Sequence, residues 1–134
     1  MSALPTPAPF VESDTEEFWT ATAAGKLLLK RCNNDGTVIW YPRSLCPVCH
    51  STDTSWFEAS GQGSVYSYTV SHRGEGPYRE SAPYVLAYVE LDEGPRLMTN
   101  VVDCEPGAVS IGQRVRVVFH DTGEGNALIR FAPA

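Results

Sequence analysis

A chain of 134 residues, 43% hydrophobic and 19% charged, can bury one modest core; it is too apolar to stay disordered and too short for two full domains. Its formal net charge of −6 works against any function that gathers phosphate backbone, so nucleic-acid binding starts at a disadvantage. The start, MSALPTPAPF, has neither a basic segment nor an apolar run, and no stretch of about 18 apolar residues occurs anywhere. A cytoplasmic protein without a membrane span is expected.

Residues 1–12 are expected to form a flexible tail, because Pro5, Pro7 and Pro9 remove amide donors and restrict their neighbours. Residues 13–26 follow as a helix. Ser13-Asp14-Thr15-Glu16 has the form of a capping box, with Glu16 placed to return the bond that the first hydroxyl makes, and Gly25 suits a left-handed C-terminal position. Phe18 and Trp19, with Thr22 and Ala23, make a narrow apolar stripe that must lie on the rest of the chain or on another protein.

Residues 27–58 read as a rubredoxin-like zinc-ribbon hairpin. LLLKRC (27–32) and VIWYP (38–42) are strands flanking a first knuckle, CPVCH is a second knuckle, and STDTSWFEASG leads out of it. From 59 to 134 the pattern changes to five β-segments, at 64–72, 84–91, 96–102, 114–120 and 127–132, separated by Gly, Pro, Asp and Glu in turn combinations. In RVRVVFH the cations Arg114 and Arg116 alternate with Val115 and Val117, which sets the valines inside. Five short strands with two open edges would invite edge pairing, so closure into a barrel is the economical solution. The fold expected is mainly β: an N-terminal helix, a zinc ribbon and a five-stranded OB-fold barrel.

The segment CNNDGTVIWYPRSLCPVC spaces Cys32, Asp35, Cys46 and Cys49 as two knuckles, with Asp35 standing where a CxxC pattern would supply a second thiolate. Ten residues separate Asp35 from Cys46, enough for a short hairpin that brings the knuckles together. Three thiolates and a carboxylate are acceptable ligands for zinc, and Gly36 supplies the turn after the second of them. Two alternatives stay open: His50, next to Cys49, is a rival fourth ligand, and a metal-free hairpin would rest on packing by Ile39, Trp40 and Leu45. Cys104, apart from the other three cysteines, reads as a small buried hydrophobe at a strand end.

No self-sufficient active site emerges. His72 and His120 end strands, no GxSxG elbow or phosphate-cradling glycine motif occurs in a strand–loop–helix context, and Glu16/Glu17 and Asp92/Glu93 fit a helix start and a turn. The loop HRGEGPYRESAPY instead groups Arg73 and Arg79 with Tyr78 and Tyr84 against an acidic background, a cluster suited to an anionic ligand or a partner surface. A nucleic-acid-binding OB module would use Tyr66 and Tyr68 as stacking platforms on one strand face, and a stand-alone hydrolase would rest on His72 alone.

The run FW…GKLLLKRC…YPRSLCPVC…GQGSVYSYTV…PYVLAYVELDEGPRLMTN…IGQRVRVVF resembles the acyl-CoA-associated zinc-ribbon/OB-fold family, long known as a domain of unknown function, over residues 14 to 131. PRSLCPVC, GSVYSYTV and ELDEGPRLMTN are its most specific pieces. The resemblance implies a non-catalytic accessory subunit that stabilises a thiolase-superfamily enzyme and helps shape its acyl-CoA channel. Such partners are thiolases, or the sterol-carrier-type thiolase-like aldolases and hydratases of bacterial steroid side-chain and fatty-acyl catabolism. By matching positions the zinc ligands are Cys32, Cys46 and Cys49, with Asp35 replacing the family's second cysteine. Phe18, Trp19, Arg73, Tyr78 and Arg79 are the expected contacts to the partner or to acyl-CoA.

Overall fold

A computed structural model describes residues 4–134 of the chain; the first three residues of the expected tail lie outside the described residues. Residues 4–12 carry no helix or strand. They are nevertheless tied to the barrel, because the Pro5 carbonyl accepts a 2.7 Å hydrogen bond from Arg130 Nη2.

A 3₁₀ turn, Ser13–Thr15, runs into helix α1, Glu16–Ala23. The reciprocal bonds at its start lie one residue earlier than the sequence suggests: the Glu12 amide donates to Thr15 Oγ1 at 3.3 Å, and the Thr15 amide to the Glu12 carbonyl at 3.0 Å. A short threonine at the third position reaches its own turn without the length of Glu16. The C-terminus closes as expected, with Gly25 at φ +74° and the Gly25 and Lys26 amides returning to Thr22 and Ala21.

The helix lies on the remainder of the chain, touching β1 (Leu28–Cys32), β7 (Arg114–Asp121) and β8 (Ala127–Pro133). Phe18 is fully buried, ringed edge-on by Trp19, Trp40 and Tyr41 at centroid distances of 5.0, 5.6 and 5.8 Å. Thr22, also buried, takes the Ala127 amide on its hydroxyl at 2.9 Å and donates to the Trp19 carbonyl. This corrects the expectation for Phe18 as a partner contact: its side chain belongs to the core and reaches no surface. Trp19 is half-buried, its indole N–H donating to the Tyr41 hydroxyl at 2.8 Å.

The ribbon is a three-stranded antiparallel sheet in the order β2-β1-β3, with β2 at Val38–Ile39 and β3 at Thr54–Glu58. Strand β3 occupies the stretch read as a connection. It pairs with β1 along its whole length, Leu28 opposite Glu58 and Cys32 opposite Thr54. Its adjacent aromatics are capped by cations from β1, Lys30 over Trp56 and Arg31 over Phe57.

The remaining strands, β4 (Gln62–Ser71), β5 (Tyr84–Leu91), β6 (Arg96–Val101), β7 and β8, close a barrel in the order β4-β5-β6-β8-β7. Closure comes from β4 pairing with β7 (Gly63 opposite Val115) and from a parallel contact of β6 with β8 at Val101 and Phe131. The expected alternation holds in β7, where Val115 is buried and Arg114 and Arg116 are exposed. Close strand approach requires Gly63: a Cβ there would stand 2.6 Å from the Glu90 carbonyl oxygen. Phe18, Leu27 and Leu29 share one hydrophobic core with Val65, Val89 and Phe131, so helix, ribbon and barrel are packed together. Among the described residues, no helix is long and apolar enough to cross a membrane.

Candidate metal centre

Two knuckles of near-identical backbone build the site. In the first, the Gly36 amide returns to the Cys32 carbonyl at 2.9 Å, with Gly36 at φ +79°; in the second, the His50 amide returns to the Cys46 carbonyl at 3.0 Å, with His50 at φ +64°. His50 therefore plays the part of Gly36 in closing its turn. Its side chain is exposed and outside the ligand cluster, which removes it as the fourth ligand.

One ligand atom from each of Cys32, Asp35, Cys46 and Cys49 lies within 4.8 Å of all the others. The Sγ atoms of Cys32 and Cys49 are 3.5 Å apart, and Cys46 Sγ stands 3.7 Å from both Asp35 carboxylate oxygens. Tetrahedral zinc sets two sulfurs about 3.8 Å apart and a sulfur and a carboxylate oxygen about 3.5 Å apart. The donor set therefore fits zinc in chemistry and in size. All four positions come from protein, the arrangement of a structural site rather than of a catalytic one with an open position.

The surroundings favour a bound cation. Burial pushes the Cys32 thiol up to about 11, against the amides of Asp35 and Asn34, so the unneutralised cluster holds a proton that a metal would expel. Cys46 moves the opposite way: burial raises it, but the Cys49 and Val48 amides outweigh that and favour the thiolate. The Asp35 carboxyl is held well below the usual carboxylate range, chiefly by the Thr37 amide at 2.9 Å. Asn34 Nδ2 donates to Cys49 Sγ at 3.4 Å, orienting that sulfur. Ile39 is buried with the cysteines, whereas Leu45 is exposed and contributes little to a metal-free hairpin core.

The remaining expected site residues divide. Arg73 and Arg79 are exposed on the loop between β4 and β5, which carries a 3₁₀ helix at Gly76–Ser81. Tyr78, between them, is half-buried against Tyr84 at 5.6 Å, and its hydroxyl accepts from Arg130 Nη2 at 3.4 Å. His72 is exposed at the end of β4, and Cys104 is half-buried beyond β6. The Tyr66–Tyr68 platform is interrupted: a bulge between Val65 and Ser67 breaks the alternation, and Arg96 covers the Tyr66 ring at 3.9 Å. The sequence reading passed over Arg130, which is buried in β8. Its position, inside the otherwise apolar strand β8 and three residues before its end, was the available signal.

Residues 19–55 match the description "ChsH2, rubredoxin-like zinc ribbon domain", and residues 56–120 match "ChsH2, C-terminal OB-fold domain". A "DUF35 domain-containing scaffold protein" of Methanothermobacter thermautotrophicus is 36% identical over 95 residues, covering 70% of this chain and 71% of the relative. The chain belongs to this zinc-ribbon/OB-fold (DUF35) family. Within the family, a scaffold protein of the same description from Methanocaldococcus jannaschii is 43% identical over 90 residues, 66% of this chain and 64% of the relative. A "probable enoyl-CoA hydratase alpha subunit" of Thermomonospora curvata is 38% identical over 96% of this chain, which spans only 40% of that relative's length. Among solved structures, a chain of the "Ltp2-ChsH2(DUF35) aldolase" superposes with a TM-score of 0.84 at 36% identity, covering 94% of this chain and 98% of that one. The zinc-ribbon assignment of the family agrees with the ligand geometry, including the carboxylate at Asp35.

Proposed function

We propose that this family member is a non-catalytic accessory subunit that binds and stabilises an acyl-CoA-processing enzyme, an aldolase or thiolase of the thiolase superfamily, in bacterial steroid side-chain or fatty-acyl catabolism. The observation that carries this reading is the near-complete correspondence, over 98% of its length, with a chain of a two-component aldolase, the Ltp2-ChsH2(DUF35) aldolase. Relatives named as scaffold proteins and as a hydratase alpha subunit support the same reading. So does a "3-oxo-4,17-pregnadiene-20-carboxyl-CoA hydratase alpha subunit" of Mycobacterium tuberculosis, 33% identical over 84% of this chain and 36% of its own length.

The closed ligand set of the ribbon supports a scaffold, since no coordination position is left for a substrate. Arg73 and Arg79, exposed on one loop, are the proposed contacts for the partner or the CoA phosphates. The edge of Trp19 beside Tyr41 is a second proposed contact. Purification of the tagged chain from its native host tests the reading. A thiolase-like acyl-CoA enzyme recovered in fixed stoichiometry is expected, and recovery of the chain without any acyl-CoA enzyme would contradict it.

A further inference from the structure

Among the described residues, Arg130 is the only buried charged side chain, 1% exposed. Its guanidinium meets four acceptors, all neutral: Asn100 Oδ1 at 3.3 Å, His120 Nδ1 at 2.9 Å, the Pro5 carbonyl at 2.7 Å and the Tyr78 hydroxyl at 3.4 Å. The ion pairs found among the described residues, Arg96–Glu90 and Arg114–Asp92, do not involve it. A buried guanidinium is ordinarily matched by a carboxylate, which adds an opposite charge and bidentate geometry to hydrogen bonds that the guanidinium's own charge already assists. Arg130 thus bonds through four of its five N–H donors, with no carboxylate among its partners in the described residues.

The four acceptors fall into two groups. Asn100 and His120 stand on the neighbouring barrel strands β6 and β7, and the Asn100 amide is fixed by its own bond to the Val85 carbonyl at 2.8 Å. These hold Nε and Nη1. Pro5 and Tyr78 come from the N-terminal segment and the loop before β5, and both converge on Nη2. Nη2 is therefore the side of the guanidinium that pieces outside the barrel cover.

Beside this cover lies a crevice of about 360 Å³ whose walls include Val85, Val101, Val102, Pro83 and Pro106. Its size is within the ordinary range for small-molecule sites. Two lining residues connect it to the guanidinium: His120, which accepts from Nη1, and Leu4, next in the chain to Pro5. Asp103 is an acid in the lining, but it is exposed, so its charge is screened by solvent while that of Arg130 is not.

We propose that this crevice binds a short- or medium-chain fatty carboxylate, the carboxylate replacing the Pro5 carbonyl on Arg130 Nη2 and the apolar tail lying against Val85, Val101 and Pro106. The N-terminal segment is then the occupant that a ligand displaces. The inference does not depend on the accessory-subunit reading, because its test uses this chain alone.

Hexanoate and hexanamide, titrated separately into the full-length protein at constant ionic strength and followed by methyl and amide NMR, provide that test. Hexanoate is expected to bind at least tenfold more tightly than hexanamide, with the largest shifts at Val85 and Val101. Arg130→Gln should abolish the preference for the charged ligand. Removal of residues 2–5 should tighten hexanoate binding at least threefold by deleting its competitor. Equal affinities for acid and amide, or no saturable shift at the crevice, would overturn the proposal. Should Arg130→Gln fail to fold, the trimmed protein decides: unchanged or weaker hexanoate binding there would equally overturn it.

Discussion

Replacing Phe18 with alanine distinguishes a helix that completes the core from one that waits for a partner. Phe18 is fully buried and stands edge-on to three aromatic rings between 5.0 and 5.8 Å away. Truncating a buried phenylalanine to alanine costs about 3–5 kcal/mol through lost transfer energy and the cavity left behind. Losing edge-to-face partners, each worth about 0.5–1.5 kcal/mol, moves this site to the upper half of that range. An unfolding entropy of about 2.1 cal/mol/K per residue gives roughly 280 cal/mol/K for the chain, so a loss of about 4 kcal/mol lowers Tm by roughly 14 °C. Phe18→Leu keeps most of the volume and should lower Tm by about 5 °C or less. Thermal unfolding followed by near-UV circular dichroism reads both variants, since Trp19 and Trp40 flank the ring. A drop below about 4 °C for Phe18→Ala would refute the closed aromatic cluster and return the helix to the role of a docking element.

Gly63→Ala sets a Cβ 2.6 Å from the Glu90 carbonyl oxygen, where backbone must move, and is expected to destabilise by about 2–4 kcal/mol in denaturant titration. Gly36→Ala meets no neighbouring atom within 4 Å but must adopt φ +79°, so its cost should be limited to about 1–2 kcal/mol, with zinc retained. Purified protein is expected to contain one zinc per chain; strong chelation should lower Tm reversibly, and Asp35→Ala should weaken zinc retention in a competition with a chromogenic chelator. His120 has its pKa lowered by burial, then by Arg130, with Asp103 opposing. The unfolded chain therefore takes up this proton first, so the stability His120 contributes is present above about pH 6.5 and is lost as pH falls toward the lower folded-state value. His120→Asn, which keeps an acceptor for Arg130, should flatten the Tm–pH curve as pH falls below about 6.5; an unchanged slope would assign that loss to other groups.

The features legible in the sequence were those written in local periodicity and spacing. Val115 between Arg114 and Arg116 announces a half-buried strand, and two knuckles separated by a hairpin announce four converging ligands. Strand β3 escaped because Trp56 and Phe57 are adjacent and break a two-residue period. What makes the stretch a strand is its pairing with β1, a tertiary contact. The pair Phe18–Trp19 shows the same limit, since neighbouring aromatics on a helix do not reveal which one the core takes. Tyr66 and Tyr68 alternate in sequence, but a bulge shifts the register between Val65 and Ser67. Arg130 lies opposite in strand parity to buried Phe131 and would be read as exposed; the N-terminal segment and Tyr78 cover it from distant parts of the chain. His50 lost its place as a ligand for a conformational reason: the turn needed a left-handed residue after Cys49.

Reconstitution tests the central claim most directly. An acyl-CoA enzyme recovered with this chain, as proposed, would be separated from it, assayed alone, and titrated with the isolated chain while product formation is measured. The isolated chain is expected to show no turnover, and partner activity should rise with added chain and saturate at a fixed molar ratio. Turnover by the isolated chain, or full activity of the enzyme in its absence, would contradict it.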